Sequence, residues 1–189
     1  MSRVVVPLVE GFEPVEALTI VDILRRAAID VVTAAVGENP VTSAHNIRVE
    51  ADTTLAAVKD DPDVAMVALP GGPGTPKLGE SAELQALVER LEAEGKEIAA
   101  ICAAPSILAT FGVLQGKRAT SFPAVRDKLI AVDVDYQEEA SVVRDGRVTT
   151  SRGPGTAMDF ALALVEILAG KAKRDEVESG LMRPESAGA

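Results

Sequence analysis

Four short uncharged runs, residues 4–9, 31–36, 64–69 and 98–101, are built mainly from Val, Ile, Leu and Ala, and longer segments with helical spacing lie between them. A strand that is apolar along its whole length must be covered on both faces, so these runs predict a parallel sheet held between two layers of helices. The helical segments fit that arrangement. Residues 12–28 carry Val15, Leu18, Ile20, Ile23 and Leu24 after Pro14, and residues 81–94 are amphipathic with their carboxylates outward. The segment after Cys102 runs as a helix to about Gly112, and residues 157–168 form an apolar helix ended by Gly170. The expected architecture is a three-layer α/β/α sandwich.

The remaining segments are shorter. Residues 41–51 read as a hairpin or edge excursion, 54–59 and 125–130 as short helices, and 119–122 as a further strand. Residues 141–144 and 147–151 flank Asp145-Gly146, a hairpin signal. A chain of 189 residues suits one core, so a single domain is expected over residues 1–182, with a disordered tail over 183–189. With aromatics at only 3% and no Trp, that core must be aliphatic.

Charge and cysteine usage exclude several classes of function. A formal charge of -10 opposes stable binding to nucleic acid or to anionic membranes. The uncharged stretch 98–116 is interrupted by Pro105, Ser106, Thr110, Gly112 and Gln115, and reads as a strand and a helix rather than a membrane span. A single cysteine forms no internal disulfide, and the N-terminus shows no long apolar core or cleavage site, which together point to the cytoplasm.

In parallel α/β sheets, ligands gather beyond the carboxyl ends of the strands. That rule places residues 10–16, 71–74 and Cys102 on one rim. Cys102 falls where a buried strand turns into a helix, whose free N–H groups and dipole favour thiolate; equally, a lone cysteine often serves as a small core residue. Gly71 and Gly72 either turn the chain or let backbone approach a site, with the N–H of Ala103 as a second donor to an oxyanion. Glu13 and Glu16 share a face at a helix start, where carboxylates are favourable in any case, and the residues alone do not choose between them. Neither glycine-rich turn has nucleotide-binding spacing. The only histidine, His45, falls in the hairpin region and reads as a surface residue, which disfavours a cysteine–histidine dyad within one subunit. Phe122, His45 and Pro76 are candidate pocket walls.

The segments Glu10-Gly11-Phe12-Glu13-Pro14-Val15-Glu16, Leu69-Pro70-Gly71-Gly72, Ala99-Ala100-Ile101-Cys102-Ala103-Ala104-Pro105 and Ser151-Arg152-Gly153-Pro154-Gly155-Thr156 occur in the order that marks the ThiJ/PfpI superfamily. The chain resembles its branch containing bacterial YajL and the human Parkinsonism-associated deglycase, over about residues 3–170. The resemblance implies a flavodoxin-like, class I glutamine amidotransferase-like sandwich, assembled as a homodimer, with no cofactor and no metal. It implies Cys102 as nucleophile, Glu16 as the carboxylic acid touching it, Gly72 and Ala103 as backbone donors, and Glu13 and Arg26 as secondary polar positions, Arg26 serving structure or a dimer contact.

Two departures narrow the chemistry. The histidine that follows the nucleophile in PfpI-type proteases is Ala103 here, which argues against peptidase activity. The histidine that several closer relatives place before a proline is Phe122 here. The implied activity is cofactor-independent glyoxalase or deglycase chemistry on methylglyoxal-type 2-oxoaldehydes or glycated protein groups. The alternative is a redox-sensing stress chaperone that uses the same sulfur, and the third is action on another small electrophile.

Overall fold

The computed structural model describes residues 3–183. The expected tail therefore lies almost wholly outside the described residues; Arg183, its first member, pairs with Asp159 and Glu178. The chain opens with β1 (Arg3–Leu8), α1 (Pro14–Arg26) and β2 (Asp30–Ala35), followed by a small antiparallel hairpin of β3 (Val41–Thr42) and β4 (Arg48–Val49). Next come β5 (Thr53–Thr54), α2 (Leu55–Val58), β6 (Val64–Leu69), α3 (Thr75–Gly79) and α4 (Ala82–Ala93). Strand β7 (Glu97–Ile101) leads to α5 (Pro105–Thr110), β8 (Arg118–Ala119), α6 (Arg126–Ile130) and β9 (Asp135–Tyr136). The antiparallel pair β10 (Val142–Asp145) and β11 (Val148–Ser151) precedes α7 (Ala157–Ala169) and α8 (Lys171–Gly180).

Seven strands form one sheet in the order β10-β11-β7-β6-β1-β2-β5, parallel except at the β10 edge. Side chains alternate between the two layers, as a strand's period of two requires. Val4, Val6 and Leu8 join Met66, Ala68, Ala99 and Ile101 under α1 and α7, while Val5, Val67, Leu69, Ile98 and Ala100 face α4 and α5. Both faces are dry because both alternating sets are aliphatic, each buried Val, Leu or Ile contributing about 1.5–3 kcal/mol.

Two local expectations are corrected. Residues 119–122 do not add a strand to the main sheet, because β11 already occupies the place beside β7; only Arg118–Ala119 pairs, in a separate two-stranded sheet with Asp135–Tyr136. The β10–β11 turn is Gly146-Arg147, since Asp145 pairs with Val148, and Gly146 takes the left-handed conformation at φ +59°. Beyond Gly170 the chain forms a further helix, α8, whose charged surface hid its weak apolar pattern. Among the described residues no helix is long and apolar enough to cross a membrane.

The sheet reverses its order of construction between β1 and β6, and ligand crevices open at such points. Here the loops leaving β1 and β6 cross at close quarters. The N–H of Gly74 donates to the Gly11 carbonyl at 3.0 Å, and Glu13 N–H donates to Gly71 O at 2.9 Å. A Cβ on Gly74 would lie 2.1 Å from the Glu10 carbonyl oxygen. Gly74 has an ordinary helical φ of -74°, so its requirement is purely steric. Gly74→Ala is expected to lower unfolding free energy by about 2 kcal/mol or more in denaturant titrations, as overpacking against backbone does; a change below about 0.5 kcal/mol contradicts the crossing.

Candidate active site

Cys102 occupies the first residue after β7, with φ +64°, a left-handed conformation unfavourable to any residue with a Cβ. Its backbone is pinned on both sides. The Cys102 N–H donates to Ser151 O at 3.0 Å, continuing the β7–β11 ladder, and Phe122 N–H donates to Cys102 O at 2.8 Å. This strained turn between strand and helix is a nucleophile elbow, which lifts one side chain out of the sheet's end and aims it at the loop after β6.

Gly71 lies directly against the elbow. A Cβ there would fall 2.7 Å from Cys102 Cβ and 3.1 Å from its Sγ, so a side chain at 71 and the cysteine exclude each other. Gly72, at φ +113°, leaves equally little room: its Cβ would meet Glu13 N at 2.5 Å. The backbone N–H groups of Gly72 and Ala103 lie close enough to the cysteine sulfur to favour its thiolate. The residue types are those expected as oxyanion donors, but in the resting site they are aimed at the sulfur itself.

Glu16 comes from the first turn of α1, whose N-cap is Glu13, accepting from Val15 N–H at 2.9 Å. The Glu16 side chain is completely buried. Its Oε2 accepts from Gly71 N–H at 2.8 Å, Oε1 is buried with no hydrogen-bond partner, and the carboxyl group is close enough to the Cys102 thiol for each to shift the other's pKa. Burial raises its pKa to about 7, against the opposing pull of the Gly71 N–H; the nearby Glu13 adds to the rise.

The cysteine departs from the activated thiol that is one of the two readings its sequence context offers. It is 8% exposed, and burial pushes its pKa up to about 12, with the Glu16 carboxylate reinforcing the rise and the Ala103 and Gly72 N–H groups opposing it. The expected helix-terminus activation is weak because α5 starts only at Pro105 and has six residues. Desolvation and the neighbouring carboxylate outweigh it. A protonated Glu16 removes that like charge and supplies a donor, so the carboxyl group controls the thiol.

The structure thus brings together Cys102, Glu16, Gly72 and Ala103, with Glu13 at the edge. It does not bring Arg26 to them. Arg26 lies at the opposite end of α1, about 15 Å along the helix axis from Glu16, and pairs with Asp22 at 2.8 Å. His45 is exposed as expected, yet its Nε2 is 3.6 Å from Glu13 Oε2, because the β3–β4 hairpin docks on the 11–13 loop through Ala44 N–H to Phe12 O. The pinning roles of Ser151 and Phe122 were not visible in the sequence, since they act through backbone. Among the described residues no three of His, Cys, Asp and Glu converge as a metal ion would require.

A parallel sandwich with a strained cysteine elbow and a buried glutamate near the sulfur defines a class of α/β proteins. The comparisons give the family: residues 2–167 match the DJ-1/PfpI family, and the chain belongs to it. The Arabidopsis thaliana protein DJ-1 homolog A is 40% identical over 184 residues, 96% of this chain and 46% of that protein, so this chain spans just under half the relative's length. The Caenorhabditis elegans protein named glutathione-independent glyoxalase DJR-1.2 is 35% identical, with 89% of each chain covered. The crystal structure of Drosophila melanogaster DJ-1beta superposes with a TM-score of 0.93 at 42% identity, covering 98% of this chain and all of the other.

The raised Glu16 pKa has a measurable consequence. An unfolded glutamate loses its proton near 4.5, whereas the folded one keeps it until about 7, so the folded state binds more protons in that window and stability falls as pH rises through it. Glu16→Gln lacks this slope. Urea titrations from pH 4.5 to 8 should show the variant gaining on the parent by about 3 kcal/mol; parallel curves contradict the buried acid.

Proposed function

We propose that this protein is a cysteine-dependent, cofactor-independent glyoxalase or deglycase acting on 2-oxoaldehydes or their adducts. The observation that carries this reading is the contact between the buried Glu16 carboxyl and the Cys102 sulfur at the strained elbow. Membership of the DJ-1/PfpI family and the glyoxalase name of the worm relative support it. At neutral pH, Glu16 is poised between its acid and base forms, which suits a group that must both give and take a proton.

In this mechanism the Cys102 thiolate, left when the pair's remaining proton sits on Glu16, attacks the aldehyde carbon. The Gly72 and Ala103 N–H groups follow the negative charge from sulfur to the new oxyanion. Glu16 then moves the proton from the former aldehyde carbon to its neighbour, giving a thioester of the 2-hydroxy acid. Water cleaves the thioester and restores the thiol. The roles of Glu13 and of the homodimer are part of the same proposal: exposed Val15 and Leu18 on α1 and Ile47 in the docked hairpin give the neighbourhood of the site an apolar surface suited to a second copy.

A second reading is favoured by the same donors. Gly72 N–H, Ala103 N–H and a protonated Glu16 surround the sulfur, and they would equally hold the oxygens of a sulfinate, making Cys102 a redox sensor. One comparison separates the two. Parent protein should convert methylglyoxal to lactate, with Cys102→Ser inactive and Glu16→Gln slower by about a hundredfold. Turnover by Cys102→Ala at the parent rate overturns the enzyme reading. No turnover by the parent, with aggregation suppressed only by peroxide-oxidised protein, favours the sensor.

A further inference from the structure

An open surface pocket of about 410 Å³ is lined by Phe122, Pro123, Gly153 and Pro154 among others; Cys102 itself is not in the lining. It is anchored to the elbow on both sides. Phe122 donates its own N–H to the Cys102 carbonyl, and Gly153 follows two residues after Ser151, whose carbonyl holds the Cys102 N–H. The wall is aromatic in a chain that uses aromatics sparingly: Phe12 and Phe160 are fully buried, whereas Phe122 is 44% exposed. The fold has no packing use for that exposed ring area. Gly153 adds to it by omission, since its extended φ of 167° suits any residue, and a Cβ there would touch the Phe122 ring edge at 3.4 Å. Glycine leaves that edge open. Arg152 and Glu139 put one charge of each sign on the lining, so selection falls to the apolar wall rather than to charge.

We propose that Phe122 is a specificity-determining residue, forming the wall of a pocket that favours 2-oxoaldehydes bearing an aromatic or bulky apolar group over methylglyoxal itself. This rests on the reading of Cys102 as the attacking group. For this, the substituent on the carbonyl next to the sulfur-bonded carbon must reach past the elbow to the Phe122 ring, where its face would pack on the ring and its apolar area would leave water. The reaction is an internal redox rearrangement: the C–S bond forms, a proton moves from the first carbon to the second, and water cleaves the C–S bond. The sum is an aryl 2-oxoaldehyde plus water giving the 2-hydroxy acid, and no external oxidant or reductant is needed.

Two readouts test this. The first is the ratio of kcat/KM for phenylglyoxal over methylglyoxal. The second needs no turnover: the alkylation rates of Cys102 by phenacyl bromide and by bromoacetone, followed by intact mass and each normalised to iodoacetamide, which reports the thiol itself. Phe122→Ala should lower the aryl-over-methyl ratio about fivefold or more in both, while Phe122→Tyr, which keeps the ring, should hold it within about twofold. An unchanged ratio in Phe122→Ala overturns the proposal. If the parent turns over neither oxoaldehyde but the alkylation ratio falls as expected, the pocket stands and the oxoaldehyde reading fails.

Discussion

Glu16 is buried completely, with one oxygen on the Gly71 N–H, and its carboxyl group lies against the sulfur of Cys102. A carboxylate in that position has lost its water and gained one strong donor, which is too little to keep it fully ionised near neutrality. The same burial that raises Glu16 raises the thiol beside it. Neither group is understood alone: an ionised Glu16 suppresses thiolate, and a protonated Glu16 supports it. The site is therefore a coupled acid pair rather than an activated thiol with a helper.

That pair exists only because backbone comes unusually close to backbone. Gly71, Gly72 and Gly74 each leave out a side chain that would collide with Cys102, with the Glu13 N–H or with the Glu10 carbonyl. The sheet's reversal between β1 and β6 brings the 10–13 and 71–74 loops into register, and the Gly74–Gly11 and Glu13–Gly71 hydrogen bonds lock them. Cys102 is held at positive φ by Ser151 on one side and Phe122 on the other. Strain at the elbow is thus maintained by two strands and a loop that pack for their own reasons.

Much of this was legible in the chain. The aliphatic runs at 4–9, 31–36, 64–69 and 98–101 could only be two-sided parallel strands, and they place Cys102, Gly72 and Glu16 on one rim. The short edge strand Thr53–Thr54 and helix α8 were not legible, since two threonines and a charged helix lack a strong period. The fate of 119–122 depended on which segment took the place beside β7, a competition no local pattern records. The state of the thiol is not legible for a physical reason: a helix-terminus argument counts local dipoles, whereas burial and Glu16 act through the tertiary structure. His45 was read correctly as exposed, but its approach to Glu13 follows from hairpin docking and not from its neighbours in sequence.

The central claim is that Glu16 carries its proton into the neutral range because it is buried, a rise that the Gly71 N–H and the Cys102 thiol only partly oppose. Carbon-13 NMR of protein labelled at the glutamate side-chain carboxyls observes this directly. One carboxyl resonance should titrate with a midpoint of about 7, vanish in Glu16→Gln and shift its midpoint in Cys102→Ser. A spectrum in which every glutamate titrates in the ordinary carboxylate range would contradict the account.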